Sequence, residues 1–174
     1  MWLATKKAPA YEGHMIIRSA TDADRDAIWT IMEPVLRAGE TYTLPDDWSR
    51  DAALDYWFAA PHQVFVAEAD GRILGHYYLS PNRQGRGAHV ANCGYMTAVA
   101  AAGKGVATAM CRHSMDTARA QGFRGMQFNA VVSTNSRAVA LWERMGFAIV
   151  GRVPGAFDHP AHGFVDLLVM YQAL

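Results

Sequence analysis

The chain has 174 residues, with 16 Lys+Arg against 16 Asp+Glu, 51% apolar residues and 18% charged. That length and apolar content fit one ordinary domain with a sizeable core and exclude wholesale disorder. A formal charge of zero argues against a dedicated nucleic-acid binder, and no apolar run approaches the ~18 residues of a membrane span. The two cysteines, Cys93 and Cys111, are too few for a disulfide framework or a self-sufficient zinc site. The N-terminal stretch lacks the apolar segment of a secretory signal, so the expectation is a soluble, cytoplasmic protein.

In chain order, residues 1–13 are unperiodic and read as an N-terminal tail, leaving residues 14–174 as a single domain. Residues 14–18 read as a short strand. Thr21 can cap a helix whose first turn carries Asp22 and Asp24, favoured by the positive end of the dipole. Ala27, Ile28, Ile31 and Val35 fall on one face of it, and Pro34 is expected to kink or shorten its last turn. A loop at 39–48 follows, and Ser49 caps a second helix with Ala52, Ala53, Tyr56 and Trp57 along one side.

From Gln63 the period shortens to two. Strands 63–69 and 72–79 flank Asp70-Gly71, a pair suited to the positive φ of a tight hairpin turn. Residues 81–87 are an exposed loop, and 89–99 a strand in which Gly94 suggests a bulge. Residues 100–122 are a glycine-bearing turn feeding a helix stopped by Gly122. A strand at 126–132 leads to a helix at 133–146 carrying Ala138, Leu141, Trp142 and Met145 as one stripe. Closing strands at 147–153 and 164–174 surround a loop at 154–163. The order βααββ, βα, βα, ββ implies an α/β (α+β) fold with a mixed sheet.

The most informative chemistry lies between strand 89–99 and the helix after it, in Ala102-Gly103-Lys104-Gly105-Val106-Ala107-Thr108. Amides of a helix's first turn lack intrahelical partners, and the aligned dipole favours an anion there. Gly103 and Gly105 either shape the turn alone or let the main chain approach a pyrophosphate. A Walker A loop is excluded, because Val99–Ala102 holds no glycine and Gly105, not Ser or Thr, follows Lys104. A dinucleotide fingerprint fails as well, with Thr108 at the last small position and Asn129 where an acid is wanted.

Gly105-x-Ala107, with Asn135, Ala138, Leu141, Trp142, Gly146 and Phe147 at fixed distances beyond it, resembles the GNAT N-acetyltransferase superfamily. Its motifs are Q/R-x-x-G-x-G/A followed by N-x-x-A-x-x-Φ-Y-x-x-x-G-F. The resemblance spans roughly residues 15–172 and implies the GNAT fold: a six- to seven-stranded, mostly antiparallel sheet with about four helices, splayed between strands 89–99 and 126–132. It also implies acetyl-CoA as cosubstrate, a small-molecule amine as acceptor, and a possible homodimer. By the same resemblance, main-chain groups of Tyr95, Met96 and Thr97 hold the pantetheine. Residues Gly103, Lys104, Gly105, Val106, Ala107 and Thr108 hold the pyrophosphate, and Asn135 contacts the cofactor side.

Two positions depart from the motifs. Ala102 replaces the Gln or Arg, and Trp142 replaces the tyrosine that often serves as general acid. An indole carries only a non-acidic N–H, so Trp142 reads as packing. No Asp or Glu lies between Asp70 and Asp116, which removes the carboxylate base that relatives carry on the first splayed strand. His76, His89, Asp158 and His159 are the remaining candidates for a base, each weak.

Asn92 and Asn129 lie inside strands, where asparagine is disfavoured. Each either satisfies irregular backbone at the splay or donates to a substrate. The segments 39–42, 76–87, 89–95, 126–135 and 150–160 look most like the branch of the superfamily typified by the fungal L-azetidine-2-carboxylate N-acetyltransferase. That branch acetylates small proline-like amino acids, and the likeness implies that Asn92 and Asn129 hold the acceptor's carboxylate. The open alternatives are another small amine of phosphinothricin type, a protein N-terminus, or a non-catalytic acyl-CoA-binding module. No metal is expected, since the seven histidines are dispersed.

Charge balance is uneven along the chain. Residues 71–115 carry Arg72, Arg83, Arg86, Lys104 and Arg112 and no acid, in the stretch assigned to coenzyme phosphates.

Overall fold

The computed structural model describes residues 14–174; the expected tail, residues 1–13, lies outside the described residues. Seven strands and four α-helices follow in the anticipated order. They are β1 (Ile16–Ser19), α1 (Arg25–Ala38), α2 (Arg50–Phe58), β2 (Gln63–Ala69), β3 (Arg72–Pro81), β4 (Val90–Thr97), α3 (Val106–Ala120), β5 (Gly125–Val132), α4 (Ser136–Arg144), β6 (Ala148–His159) and β7 (Gly163–Ala173). One sheet holds all seven strands in the order β1-β2-β3-β4-β5-β7-β6. Every neighbouring pair is antiparallel except β4 with β5.

Local chemistry explains most boundaries. Thr21 opens the first helical segment, its main-chain N–H donating to Asp24 Oδ2 at 2.7 Å, and Asp24 is gripped in turn by Arg18. Pro34 does not end α1, which runs one more turn to Ala38 before Gly39 closes it. Asp70 and Gly71, at φ 51° and 69°, make the tight turn between β2 and β3.

Two expectations are corrected. Residues 154–163 are largely strand, not loop: β6 continues to His159 and only residues 160–162 turn. The register shifts between Val153 and Phe157, so Pro154, Gly155 and Ala156 are absorbed as a bulge. Edge strands tolerate proline because its missing N–H faces no ladder partner, and β6 is an edge. Nor is there a bulge at Gly94, since the β3–β4 ladder runs unbroken from Gly75↔Thr97 to Pro81↔Ala91.

The sheet separates two cores. One face packs on α1 and α2 through Ile28, Met32, Leu36, Leu54, Trp57, Val66 and Met96. The other packs on α3 and α4 through Tyr77, Leu79, Met110, Met126, Phe128, Trp142 and Phe147. Cys93 and Cys111 are free and buried as small fillers of this second core. The two cores meet at the break between β4 and β5, whose parallel pairing covers only Val90↔Gly125 and Ala91↔Met126.

Candidate active site

Beyond Ala91, β4 and β5 diverge, and the edge of β4 is left without a strand partner. Antiparallel ladders alternate, with one residue bonding to the neighbour and the next facing away. Ala98 N–H donates to Leu74 O at 2.9 Å, and Asn82 N–H to Val90 O at 2.7 Å. The even-numbered residues of β4 therefore pair with β3, and the main-chain groups of Cys93, Tyr95 and Thr97 face the gap. This alternation assigns Tyr95 and Thr97 to the gap and removes the main chain of Met96, which lies in register with His76.

Two side chains stand in for the missing strand. Asn92 Nδ2 donates to Gln127 O at 2.8 Å, satisfying a β5 carbonyl where the ladder fails. Tyr42, from the loop between α1 and α2, donates its hydroxyl to Tyr95 O at 2.8 Å. Burial raises the Tyr42 phenol well above its ordinary range, so it acts as a neutral donor. Opposite, β5 shifts register against β7 between Phe128 and Val131, and Asn129 lies in this irregular stretch. Asn129 accepts from Gln127 Nε2 at 2.8 Å and donates to Asn82 Oδ1 at 2.6 Å.

The break opens a cavity of about 360 Å³. Asn92, Tyr95, Met96 and Thr97 line it from β4, Asn129 from β5, and Asn135 and Trp142 from beyond β5. Tyr42, Tyr56, Trp57 and Tyr78 wall its other side, with Thr41, Thr43 and Leu44 of the same loop beside Tyr42. Among the described residues that line it, none carries a formal charge. Trp142 is 8% exposed and packs on Tyr95 at 5.1 Å and Phe128 at 5.0 Å between ring centroids. That aromatic cluster is held by packing, with offset and edge contacts worth about 0.5–1.5 kcal/mol each.

At the far end of β4, Gly103 and Gly105 take positive φ of 77° and 85°. Gly105 is the N-cap of α3. A Cβ added at either glycine would meet nothing within 4 Å, so the turn's outer surface is open. Ala109 N–H, bonded to Gly105 O at 3.0 Å, is the first amide served by the helix. Those of Val106, Ala107 and Thr108 precede it and lack intrahelical acceptors. A diphosphate fits such a turn. A strand-like amide chain fits the edge of β4 left without a strand partner, at the Tyr95 N–H and Thr97, the Tyr95 carbonyl already accepting from Tyr42. Asn135 is committed locally, since its Oδ1 caps α4 by accepting from Ala138 N–H at 3.2 Å.

The histidine candidates lie elsewhere. His76 is 0% exposed with neither ring nitrogen partnered, and burial holds its pKa down to about 3. His89 is exposed, with Nδ1 donating to Arg86 O at 3.0 Å. Asp158 does not line the cavity. His159 lines a smaller recess with Glu40, Asn135 and Arg137. Its Nδ1 accepts from Ala161 N–H at 3.1 Å, so the neutral ring carries its proton on Nε2 and offers that face as a donor. Sequence reasoning missed Tyr42 and Tyr78. Each is an ordinary strand or loop tyrosine until the register is known.

Residues 26–147 match the model of the acetyltransferase (GNAT) family. The chain belongs to that family. The GNAT chain is 28% identical over 152 residues to the N-acetyltransferase aca1 of Schizosaccharomyces pombe, covering 77% of this chain and 72% of that protein. It also resembles a GCN5-related N-acetyltransferase from Kribbella flavida, with 43% identity, a TM-score of 0.88, and coverage of 92% and 98% of the two chains. A phosphinothricin acetyltransferase from Sinorhizobium meliloti in complex with acetyl-CoA shares the fold at 22% identity and a TM-score of 0.80, covering 92% of this chain and 88% of that one. The GNAT chain is an acetyl-CoA-dependent N-acetyltransferase. When bound, acetyl-CoA supplies an activated acyl group. The protein's part is to align the acceptor amine and exclude water.

Proposed function

We propose that this enzyme acetylates the amine of a small amino acid, of the proline-like cyclic class, with Asn92 and Asn129 holding the acceptor's carboxylate. The observation that carries this reading is the state of the two amides. Each spends one N–H on the protein, Asn92 on Gln127 O and Asn129 on Asn82 Oδ1. A primary amide has two, so each retains one for a carboxylate oxygen, and both line the same uncharged cavity.

Cavity size supports a small acceptor, since about 360 Å³ must take the reacting end of the cosubstrate as well. The aromatic walls suit a compact apolar ring. In this reading the turn that enters α3, from Gly103 to Thr108, holds the pyrophosphate, the β4 edge at Tyr95 and Thr97 holds the pantetheine, and Asn135 lies toward the cofactor. In the same reading the neutral amine would add to the thioester carbonyl, and the C–S bond would break to release coenzyme A as its thiolate. The proton lost from the amine nitrogen would pass to water or to that thiolate.

The test is mass-spectrometric product detection after incubating the enzyme with acetyl-CoA and a mixture of L-azetidine-2-carboxylate, proline analogues, linear amino acids, phosphinothricin and a short peptide. N-acetylated cyclic amino acid as the dominant product supports the reading. Dominant acetylation of phosphinothricin or of the peptide terminus overturns it, and tight acetyl-CoA binding without any product would mark a binding module.

A further inference from the structure

The Asn92 amide is gripped at both ends, and the two grips fix which way it faces. Gln127 O is a main-chain carbonyl and only accepts, so the amide nitrogen must face β5, at 2.8 Å. From the other side the Tyr78 hydroxyl donates to Asn92 Oδ1 at 3.1 Å. The carbonyl end is thereby occupied, and the spare N–H is what the amide has left to offer.

Tyr78 is itself immobilised. Its ring stacks on His62 with centroids 4.0 Å apart and planes 12° from parallel. It meets the edge of Trp57 at 4.9 Å, and His62 Nδ1 is tied to Trp57 O at 3.1 Å. Beneath it, Gly94 carries no side chain to displace the ring.

We propose that Tyr78 is a positioning residue for acceptor recognition: its hydroxyl locks the Asn92 amide with N–H toward the cavity, so that the site selects carboxylate-bearing amines over their carboxamides. This rests on the reading that Asn92 meets the acceptor's carboxylate. Without the hydroxyl, Oδ1 loses its donor and only the Gln127 contact holds the amide, which then rotates more readily to present an oxygen that repels a carboxylate. Tyr78 also walls the cavity, and the role proposed for its hydroxyl is the one it plays through Asn92.

The experiment compares Tyr78→Phe, Asn92→Ala and the double variant, using L-azetidine-2-carboxylate and its carboxamide as acceptors. KM for acceptor and for acetyl-CoA are read separately, with the thermal midpoint alongside. Tyr78→Phe is expected to raise the KM for L-azetidine-2-carboxylate about tenfold, the worth of one hydrogen bond to a charged group. The KM for acetyl-CoA should stay unchanged, the preference over the carboxamide should fall, and the double variant should be no worse than Asn92→Ala alone.

Failures separate cleanly. If Asn92→Ala leaves the acceptor KM unchanged, the carboxylate reading itself falls. If Asn92→Ala raises it but Tyr78→Phe does not, the role of Tyr78 falls and the reading stands. A double variant whose effect is the product of the singles, or a Tyr78→Phe that raises both KM values together, likewise overturns the role of Tyr78.

Discussion

Gly94 lies directly opposite Tyr78 in the β3–β4 ladder, and a Cβ at position 94 would stand 2.6 Å from Tyr78 Cε1. The glycine is thus a seat for an aromatic ring. Because His62 and Trp57 clamp that ring, it has little room to yield. Gly94→Ala is expected to cost about 1–3 kcal/mol, the usual penalty for overpacking, as read by denaturant unfolding. A change below about 0.5 kcal/mol, the level of an ordinary surface substitution, would mean the ring moves freely.

The turn before α3 gives a second prediction with an internal control. Gly105 and Gly122 share a φ of +85° and open surroundings, one before α3 and one just after it. Valine at either site should lose about 1–2 kcal/mol to left-handed backbone strain. Only Gly105→Val should also weaken coenzyme A binding in calorimetry, by more than about tenfold, because it crowds the amides that meet the phosphates. Equal affinities in the two variants would reduce the turn to a structural role.

The uncharged lining predicts how the rate depends on pH. With no carboxylate or imidazole among the described residues that line the cavity, the acceptor must arrive neutral, and its neutral fraction falls about tenfold per pH unit below its own pKa. The kcat/KM for acceptor should therefore rise with pH and bend at the pKa of the amine, moving when an acceptor of different amine pKa is used. A bend near neutrality that stays put for both acceptors would identify an enzyme base.

His76 makes stability, as distinct from rate, pH-dependent. Its pKa is about 3 in the fold and about 6.5 when unfolded, so the unfolded chain takes up the proton first. The contribution is intact above pH 6.5 and is lost as pH falls toward 3, by up to about 1.4 kcal/mol per unit. Asp24, held below its ordinary value by Arg18, gives up its share only below the normal carboxylate range. His76→Phe should thus flatten the stability curve between pH 6.5 and 4, measured by denaturant midpoints. Parallel curves for the two proteins would show that His76 protonates without penalty.

Much of this was legible in the chain, and what was not shares one cause. The Asp70-Gly71 turn, the α3 turn and the order of elements are local, written in residues a few positions apart. Residues 154–156 misled because Pro and Gly signal a loop locally, whereas the strand beside them absorbs them as a bulge. Gly94 misled in the same way: its meaning is the Tyr78 ring on another strand. That Asn92 faces Gln127, and Tyr42 reaches Tyr95, depends on contacts 35 and 53 residues apart, which no spacing rule encodes. The unequal commitment of Asn92, Asn129 and Asn135 appears only once their partners are in place.

The most direct test of the account is the steady-state comparison of Asn129→Ala with the unaltered enzyme, following thiol release with L-azetidine-2-carboxylate. The acceptor KM should rise by about tenfold or more, as expected when a hydrogen bond to a charged group is removed, while the KM for acetyl-CoA stays put. Equal rises in both would contradict a carboxylate held between Asn92 and Asn129.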